Sequence, residues 1–171
     1  MNYSNNIAGW IRESELQWLY STAKEMETIV EIGSWKGRST HALLSGCSGA
    51  VWAIDHWLGS KNEPELKKEV SEHDIFEIFK LNVGHFKNLK IIRADSIEAA
   101  KQFGEKSIDM VFIDGDHGYE EVKGDIAAWF PKTKKIICGH DYDWPSVRQA
   151  VGEIFGIPDI FCESIWVKRL A

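Results

Sequence analysis

The sequence predicts an α/β fold, a doubly wound and mostly parallel sheet with helices on both faces. Three observations carry this. Short apolar, β-prone runs alternate with helical segments, as a parallel sheet with crossover helices requires. The 171 residues, 44% hydrophobic and 27% charged, suit one domain (1–171) with one sizeable core. Polar or acidic residues recur where strands should end: Glu31 with Gly33, Asp55, Asp95, Asp114, and His140 with Asp141. In an open α/β sheet, ligands bind in the crevice beyond those ends.

The elements follow in order. Residues 1–27 are read as an N-terminal helical segment and 28–171 as the sheet-bearing core. Glu13 to Met26 predicts a helix with Leu16, Leu19 and Tyr20 on one side, a stripe that reads as core. Thr28 to Ile32 is the first strand, closing on Gly33, and a helix runs from about Gly37 to Leu44. Ala50 to Ile54 is the second strand, ending at Asp55. Leu66, Val70, Ile75, Phe79 and Phe86 space out one or two amphipathic helices. Leu89 to Arg93 is the third strand, with a helix from Ser96 to about Phe103. Ile108 to Ile113 is the clearest strand, and the helix from Tyr119 to Trp129 stops before Pro131. Lys135 to Cys138 is the fifth strand. Pro145 opens a helix to Phe155, and Asp159 to Cys162 with Ser164 to Lys168 predict a final pair of strands.

Bulk properties exclude several roles. A formal charge of −6 offers no general attraction to phosphate backbones or anionic lipid, so neither nucleic acid nor membrane is expected as a partner. Cys47, Cys138 and Cys162 are scattered, which fits neither a disulfide framework nor a zinc knuckle and suits a reducing cytoplasm. Met1 to Trp10 lacks the pattern of a secretion signal.

At the first strand-to-helix turn stands Glu31-Ile32-Gly33-Ser34-Trp35-Lys36-Gly37. Gly33 permits a tight bend, and Gly37 is read as letting the helix approach a ligand. In the dinucleotide pattern a middle glycine lets backbone touch a pyrophosphate; here Trp35 fills that place. Nor does the turn match GxxxxGK[ST]. A nucleoside without paired phosphates remains, and S-adenosylmethionine (SAM) is the common one. Asp55, about twenty residues on, either accepts from both ribose hydroxyls or caps its loop. Glu31 either pairs with the ligand's ammonium or holds the loop through backbone amides. Asp95 and Ser96 either meet the adenine edge or cap the next helix.

These segments, with Ile54-Asp55-His56, Phe112-Ile113-Asp114-Gly115-Asp116-His117-Gly118-Tyr119 and Gly139-His140-Asp141-Tyr142, resemble the class I SAM-dependent methyltransferases. The subgroup called methyltransferase family 24, which is similar to catechol and sugar O-methyltransferases, is the nearest in motif. The resemblance spans roughly residues 28 to 155. It implies a Rossmann-like sheet of seven strands with the last antiparallel, and a SAM site built from Glu31, Gly33, Ser34, Gly37, Asp55, Asp95, Ser96 and Asp114. It also implies metal ligands at Asp114, His140 and Asp141 and a general base at Asp116.

Asp114, Asp116 and His117 follow the fourth strand, and His140, Asp141 and Asp143 the fifth, so these groups should converge. Carboxylates with an imidazole suit Mg²⁺ or Mn²⁺ with positions open for substrate oxygens. His140 stands where many relatives carry Asp, which removes one negative charge. In a metal-free site His117 or His140 would serve as base near the ordinary pKa of about 6.5. Trp57 and Trp144 either hold an acceptor ring or pack, and Trp52, Trp129 and Trp166 read as core.

The expected activity is O-methylation of a hydroxylated small molecule such as a sugar, catechol or natural product. A SAM-binding module without catalysis is the alternative, since the chain has little room for a lid, and a homodimer that supplies one is left open. A nicotinamide reductase is disfavoured by Trp35 and by the expected lack of a Tyr-x-x-x-Lys pair.

Overall fold

A computed structural model describes residues 6–170, with backbone alone at 160 and 161. Residues 1–5, part of the segment read for a secretion signal, and residue 171 lie outside the described residues.

The elements run α1 (Glu13–Ala23), β1 (Thr28–Ile32), α2 (Arg38–Gly46), β2 (Ala50–Asp55), α3 (Pro64–Glu72), α4 (Ile75–Val83), β3 (Leu89–Arg93), α5 (Ser96–Ala100), β4 (Ile108–Ile113), α6 (Tyr119–Trp129), β5 (Thr133–Gly139), α7 (Pro145–Phe155), β6 (Asp159–Phe161) and β7 (Ile165–Arg169). The order across the sheet is β3-β2-β1-β4-β5-β7-β6. β1 to β5 are parallel, and β7 runs antiparallel to β5 and to β6.

Six strands of five to seven residues make the body of this sheet. At its edge lies β6, a three-residue ribbon paired with β7. Pro158 precedes it without an N–H to donate. Cys162 and Glu163, both with positive φ (57° and 64°), turn the chain just after it. Little chain is left between those two features to pair.

Strand alternation sorts the helices onto two faces. Ile29, Val51, Ala53, Met110 and Phe112 pack with α1, α2 and α4. Val30, Ile32, Ile54, Val111 and Ile113 pack with α5, α6 and α7. Val111 and Phe112, buried on opposite faces, show why Met110 to Ile113 of β4 is a continuous apolar run rather than an alternating one. Leu16 and Leu19 of α1 are core, as their spacing predicts. The helix itself is shorter than expected and ends at Ala23. Among the described residues no helix is long and apolar enough to cross a membrane.

The strand order reverses between β1 and β4, and the crevice opens there.

Candidate active site

A cleft of about 400 Å³ lies beyond the carboxyl ends of the parallel strands. Gly33, Ser34, Asp55, Asp95, Ser96, Asp114, Asp116, His117, His140 and Asp141 all line it. Thus most of the residues singled out from the sequence meet in one place.

The β1–α2 turn is shaped by backbone proximity. Gly33 has φ +83°, and a Cβ there would sit 2.1 Å from the carbonyl oxygen of Asp114. Only glycine lets the turns after β1 and β4 touch backbone to backbone. Trp35 also adopts positive φ (44°), held there by its N–H, which donates to Asp55 Oδ2 at 2.9 Å. Asp55 Oδ1 accepts from Trp57 N at 2.6 Å. Asp55 therefore caps two loops, and it also lines the cleft. Burial raises its pKa, against the two amide hydrogen bonds.

Two expectations for this turn are corrected. Gly37 (φ +89°) does not line the cleft; a Cβ there would press on Val83 and Phe79, so it serves helix packing against α4. Glu31 is also absent from the cleft wall and is fully buried behind the turn. It holds the loop, through hydroxyls rather than backbone amides: Ser34 Oγ donates to Oε2 at 2.7 Å and Thr40 donates to the same oxygen. Oε1 has no hydrogen-bond partner among the described residues. Burial pushes the Glu31 carboxyl up to about 7, opposed by the Ser39, Thr40 and Ser34 hydroxyls.

Asp95 is the N-cap of α5, accepting from Ile97 N at 3.0 Å and Glu98 N at 3.3 Å, and still lines the cleft. Ser96 Oγ accepts from Trp129 Nε1 at 2.8 Å. Asp125 of α6 also lines this end; burial, resisted by the Ser96 hydrogen bond, pushes its carboxyl up to about 7. Nothing in its helical, polar-flanked position marked it in the sequence.

At the other end, one ligand atom each from Asp114, His140 and Asp141 lie within 4.8 Å of one another. His140 Nδ1 is 2.9 Å from Asp141 Oδ2 and 3.5 Å from Asp114 Oδ1. These separations match neighbouring positions around one small divalent ion, and carboxylate with imidazole is a donor set for Mg²⁺ or Mn²⁺. The residues fit the ion. Asp141 has positive φ (57°), which curls its carboxylate back toward His140.

His117 lies between Asp141 (Nε2, 2.7 Å) and Glu63 (Nδ1, 2.9 Å), stacked on Trp144 at 4.7 Å. Burial opposes its charge, but the hydrogen bond and charge of Asp141, then Asp114 and Glu63, raise it to about 9. Asp116 accepts from Ser60 Oγ at 2.7 Å, from Asn62 Nδ2 and from Gly118 N at 2.9 Å. Burial would raise its pKa, yet the Ser60 and Asn62 hydrogen bonds and then the Gly118 amide bring it below the ordinary value.

The sequence reading missed Glu15 of α1, which is 0% exposed and 3.0 Å from His140 Nε2. Burial would raise its pKa, but hydrogen bonds from His140 and Arg12 N and the His140 charge hold it at about 2. Burial likewise opposes a charge on His140, yet hydrogen bonds to Asp114, Asp141 and Glu15 push it up to about 12. The available signal was an acid beside Leu16 on the buried side of an amphipathic helix.

The aromatic residues divide. Trp57 is 2% exposed, packed on Phe76 and Phe79, and does not line the cleft. Trp144, 44% exposed, does line it, as does Trp10, 68% exposed. Arg38 ties the Trp10 segment down by donating to the carbonyls of Ile11 (2.8 Å) and Ile7 (2.7 Å). The expected lack of a Tyr-x-x-x-Lys pair is corrected, since Tyr20 with Lys24 and Tyr119 with Lys123 have that spacing, but neither pair lines the cleft.

Comparison with known proteins agrees with the fold. The O-methyltransferase NovP superposes with TM-score 0.69 at 14% identity, covering 91% of this chain and 79% of that one. CalS11, a TDP-rhamnose 3′-O-methyltransferase of calicheamicin biosynthesis, superposes at 0.59 and 17% identity, over 90% and 76%. A SAM-dependent O-methyltransferase from Thermotoga maritima superposes at 0.61 and 16%, over 88% and 52%. Likenesses at such identity establish the fold. Among curated relatives, protein R132 of Acanthamoeba polyphaga mimivirus is 31% identical over 138 residues, and protein y4gI of Sinorhizobium fredii is 23% identical over 141. The matches take in 77% and 78% of this chain but only 60% and 15% of those proteins. The Methyltransf_24 family, described as a methyltransferase domain, matches residues 30–142, which contain both ends of the cleft. With that match the chain is a member of the Methyltransf_24 methyltransferase-domain family.

Proposed function

We propose that the protein is a SAM-dependent O-methyltransferase of hydroxylated small molecules, assisted by a divalent ion at Asp114, His140 and Asp141. The observation that carries this is the joining, in one cleft, of a nucleoside end at Asp55 and Asp95 with an acid–imidazole end at Asp114, His140 and Asp141. The cleft volume of about 400 Å³ is in the range of small-molecule sites.

The residues divide the work. Asp55 takes the ribose hydroxyls on lone pairs not used by the two amides, and Asp95 with Ser96 borders the adenine. The acceptor oxygen attacks the sulfonium methyl in line; the O–C bond forms, the C–S bond breaks to release S-adenosylhomocysteine, and the hydroxyl proton passes to solvent water. An ion held by Asp114, His140 and Asp141 would supply positive charge that lowers the pKa of an acceptor hydroxyl beside it. Asp116 is assigned a different role from the base expected of it. Its three donors make it a poor proton acceptor and an anchor for the loop at Ser60 and Asn62. His117, clamped between two carboxylates, orients Asp141 and presents Trp144 to the acceptor. The segment bearing Trp10 lines the cleft and is assigned the role of limiting water there.

The test is calorimetry with S-adenosylhomocysteine, followed by methyl transfer to a panel of sugars and catechols with Mg²⁺ or with EDTA. Tight nucleoside binding with Mg²⁺-dependent transfer is expected. Strong NAD binding with indifference to adenosyl ligands would overturn the assignment.

A further inference from the structure

Glu15 stands out as a carboxylate inside the apolar face of α1. Its neighbours on that face, Leu16, Leu19 and Ala23, are wholly buried. An ionised group in such a place needs several partners, and Glu15 has them from three separate parts of the chain. Oε1 accepts from Ser164 N at 3.2 Å and Ser164 Oγ at 2.8 Å, just before β7. Oε2 accepts from Arg12 N at 2.9 Å and meets His140 Nε2 at 3.0 Å.

The contact with His140 has a directional consequence. An imidazole has two nitrogens on opposite sides of the ring, and a carboxylate at one of them claims its proton. With Nε2 turned to Glu15, the atom left facing the cleft is Nδ1, which without an ion meets Asp141 at 2.9 Å; a divalent ion bound there would take the place of the Nδ1 proton, while Glu15 keeps the one on Nε2. The His140 side chain is 7% exposed, so the ring has little freedom to turn otherwise.

We propose that Glu15 is a positioning residue: it holds His140 in the Nε2–H tautomer so that Nδ1 completes a metal site with Asp114 and Asp141. This rests on the divalent-ion reading above. Metal-bound histidines commonly donate their other N–H to a carboxylate, and losing that partner typically costs about 10–100-fold in affinity. Glu15 lies outside the segment matched to the family, residues 30–142, and reaches the site only through the packing of α1.

The test uses the purified full chain and two probes. Mn²⁺ calorimetry compares wild type, Glu15→Gln and Glu15→Ala, with circular dichroism and melting to confirm the fold. Nitrogen-15 spectra of the imidazoles in Mg²⁺-saturated protein read the His140 tautomer directly. The expected results are an Nε2–H ring in wild type, affinity within about 3-fold in E15Q, whose amide oxygen still accepts, and a loss of about 10–100-fold in E15A. Should E15A fail to fold, the tautomer and the E15Q affinity decide. An Nδ1–H ring in the Mg²⁺-loaded protein, or an E15A variant that binds Mn²⁺ as wild type does, overturns the proposal and leaves the metal site standing. Wild type that takes up no Mn²⁺ yet binds S-adenosylhomocysteine overturns the metal reading and this one together, with the nucleoside site intact.

Discussion

Replacing Glu31 by Gln should change how the stability of the fold depends on pH. Glu31 is wholly buried in β1, and its carboxyl titrates at about 7 against 4.5 for the ordinary group. Below about pH 4.5 both folded and unfolded chains carry the proton. Between 4.5 and 7 only the folded chain does, so each unit of rising pH removes about 1.4 kcal/mol of stability. The shift from 4.5 to about 7 then amounts to a loss of about 3 kcal/mol, complete above pH 7. The glutamine amide keeps an oxygen for Ser34 and Thr40 and has no proton to lose. Urea unfolding of both proteins from pH 4.5 to 8 gives the difference curve, which is needed because His117 and His140, with raised pKa values, also shed stability as pH rises above 6.5. E15Q is not a suitable substitute here, since it acts on that histidine. The expected difference favours E31Q increasingly by about 3 kcal/mol across the range. Parallel curves would mean that Glu31 is already ionised in the folded protein at low pH, and would refute the effect assigned to its burial.

Other substitutions probe the rest of the cleft. Gly33→Ala must move the Asp114 carbonyl, 2.1 Å from the new Cβ, and adopt a φ of +83°; it should cost at least about 2 kcal/mol and abolish S-adenosylhomocysteine binding in calorimetry. Asp55→Ala removes the acceptor of two backbone N–H groups. It should lower stability by about 2–4 kcal/mol in denaturant melts and weaken the nucleoside at least about 10-fold, with Asn recovering part of each. Trp57→Ala should cost about 3–5 kcal/mol through the cavity left among Phe76 and Phe79. Trp144→Ala, by contrast, should melt within about 1 kcal/mol of wild type while raising KM for the acceptor, because the ring is half exposed at the mouth.

Much of this was legible in the sequence because it depends on local rules. β4 was plain from Ile108 and the four consecutive apolar residues Met110 to Ile113, bounded by Ser107 and Asp114. Pro145 marked the start of α7 and Pro131 the end of α6. The acids at strand ends had to converge once the strands were parallel, since parallel order brings all carboxyl ends to one edge. What misled was the meaning of individual side chains. Trp57 follows a site residue in sequence, but its positive φ (56°) turns the indole inward to the α4 core. Gly37 and Glu31 belong to the ligand-binding turn by motif, and their side-chain positions face α4 and α2 instead.

From the chain alone came the α/β class, the succession of strands and helices along it and the half of the cleft built from residues adjacent to strand ends, for those features follow from periodicity and chain direction. Tertiary structure decided which way each side chain at those ends points. It also brought in Glu15 and Asp125, whose contacts with the site arise where helices pack. A contact such as Glu15 with His140 joins residues 125 positions apart, and no local pattern encodes a meeting at that distance.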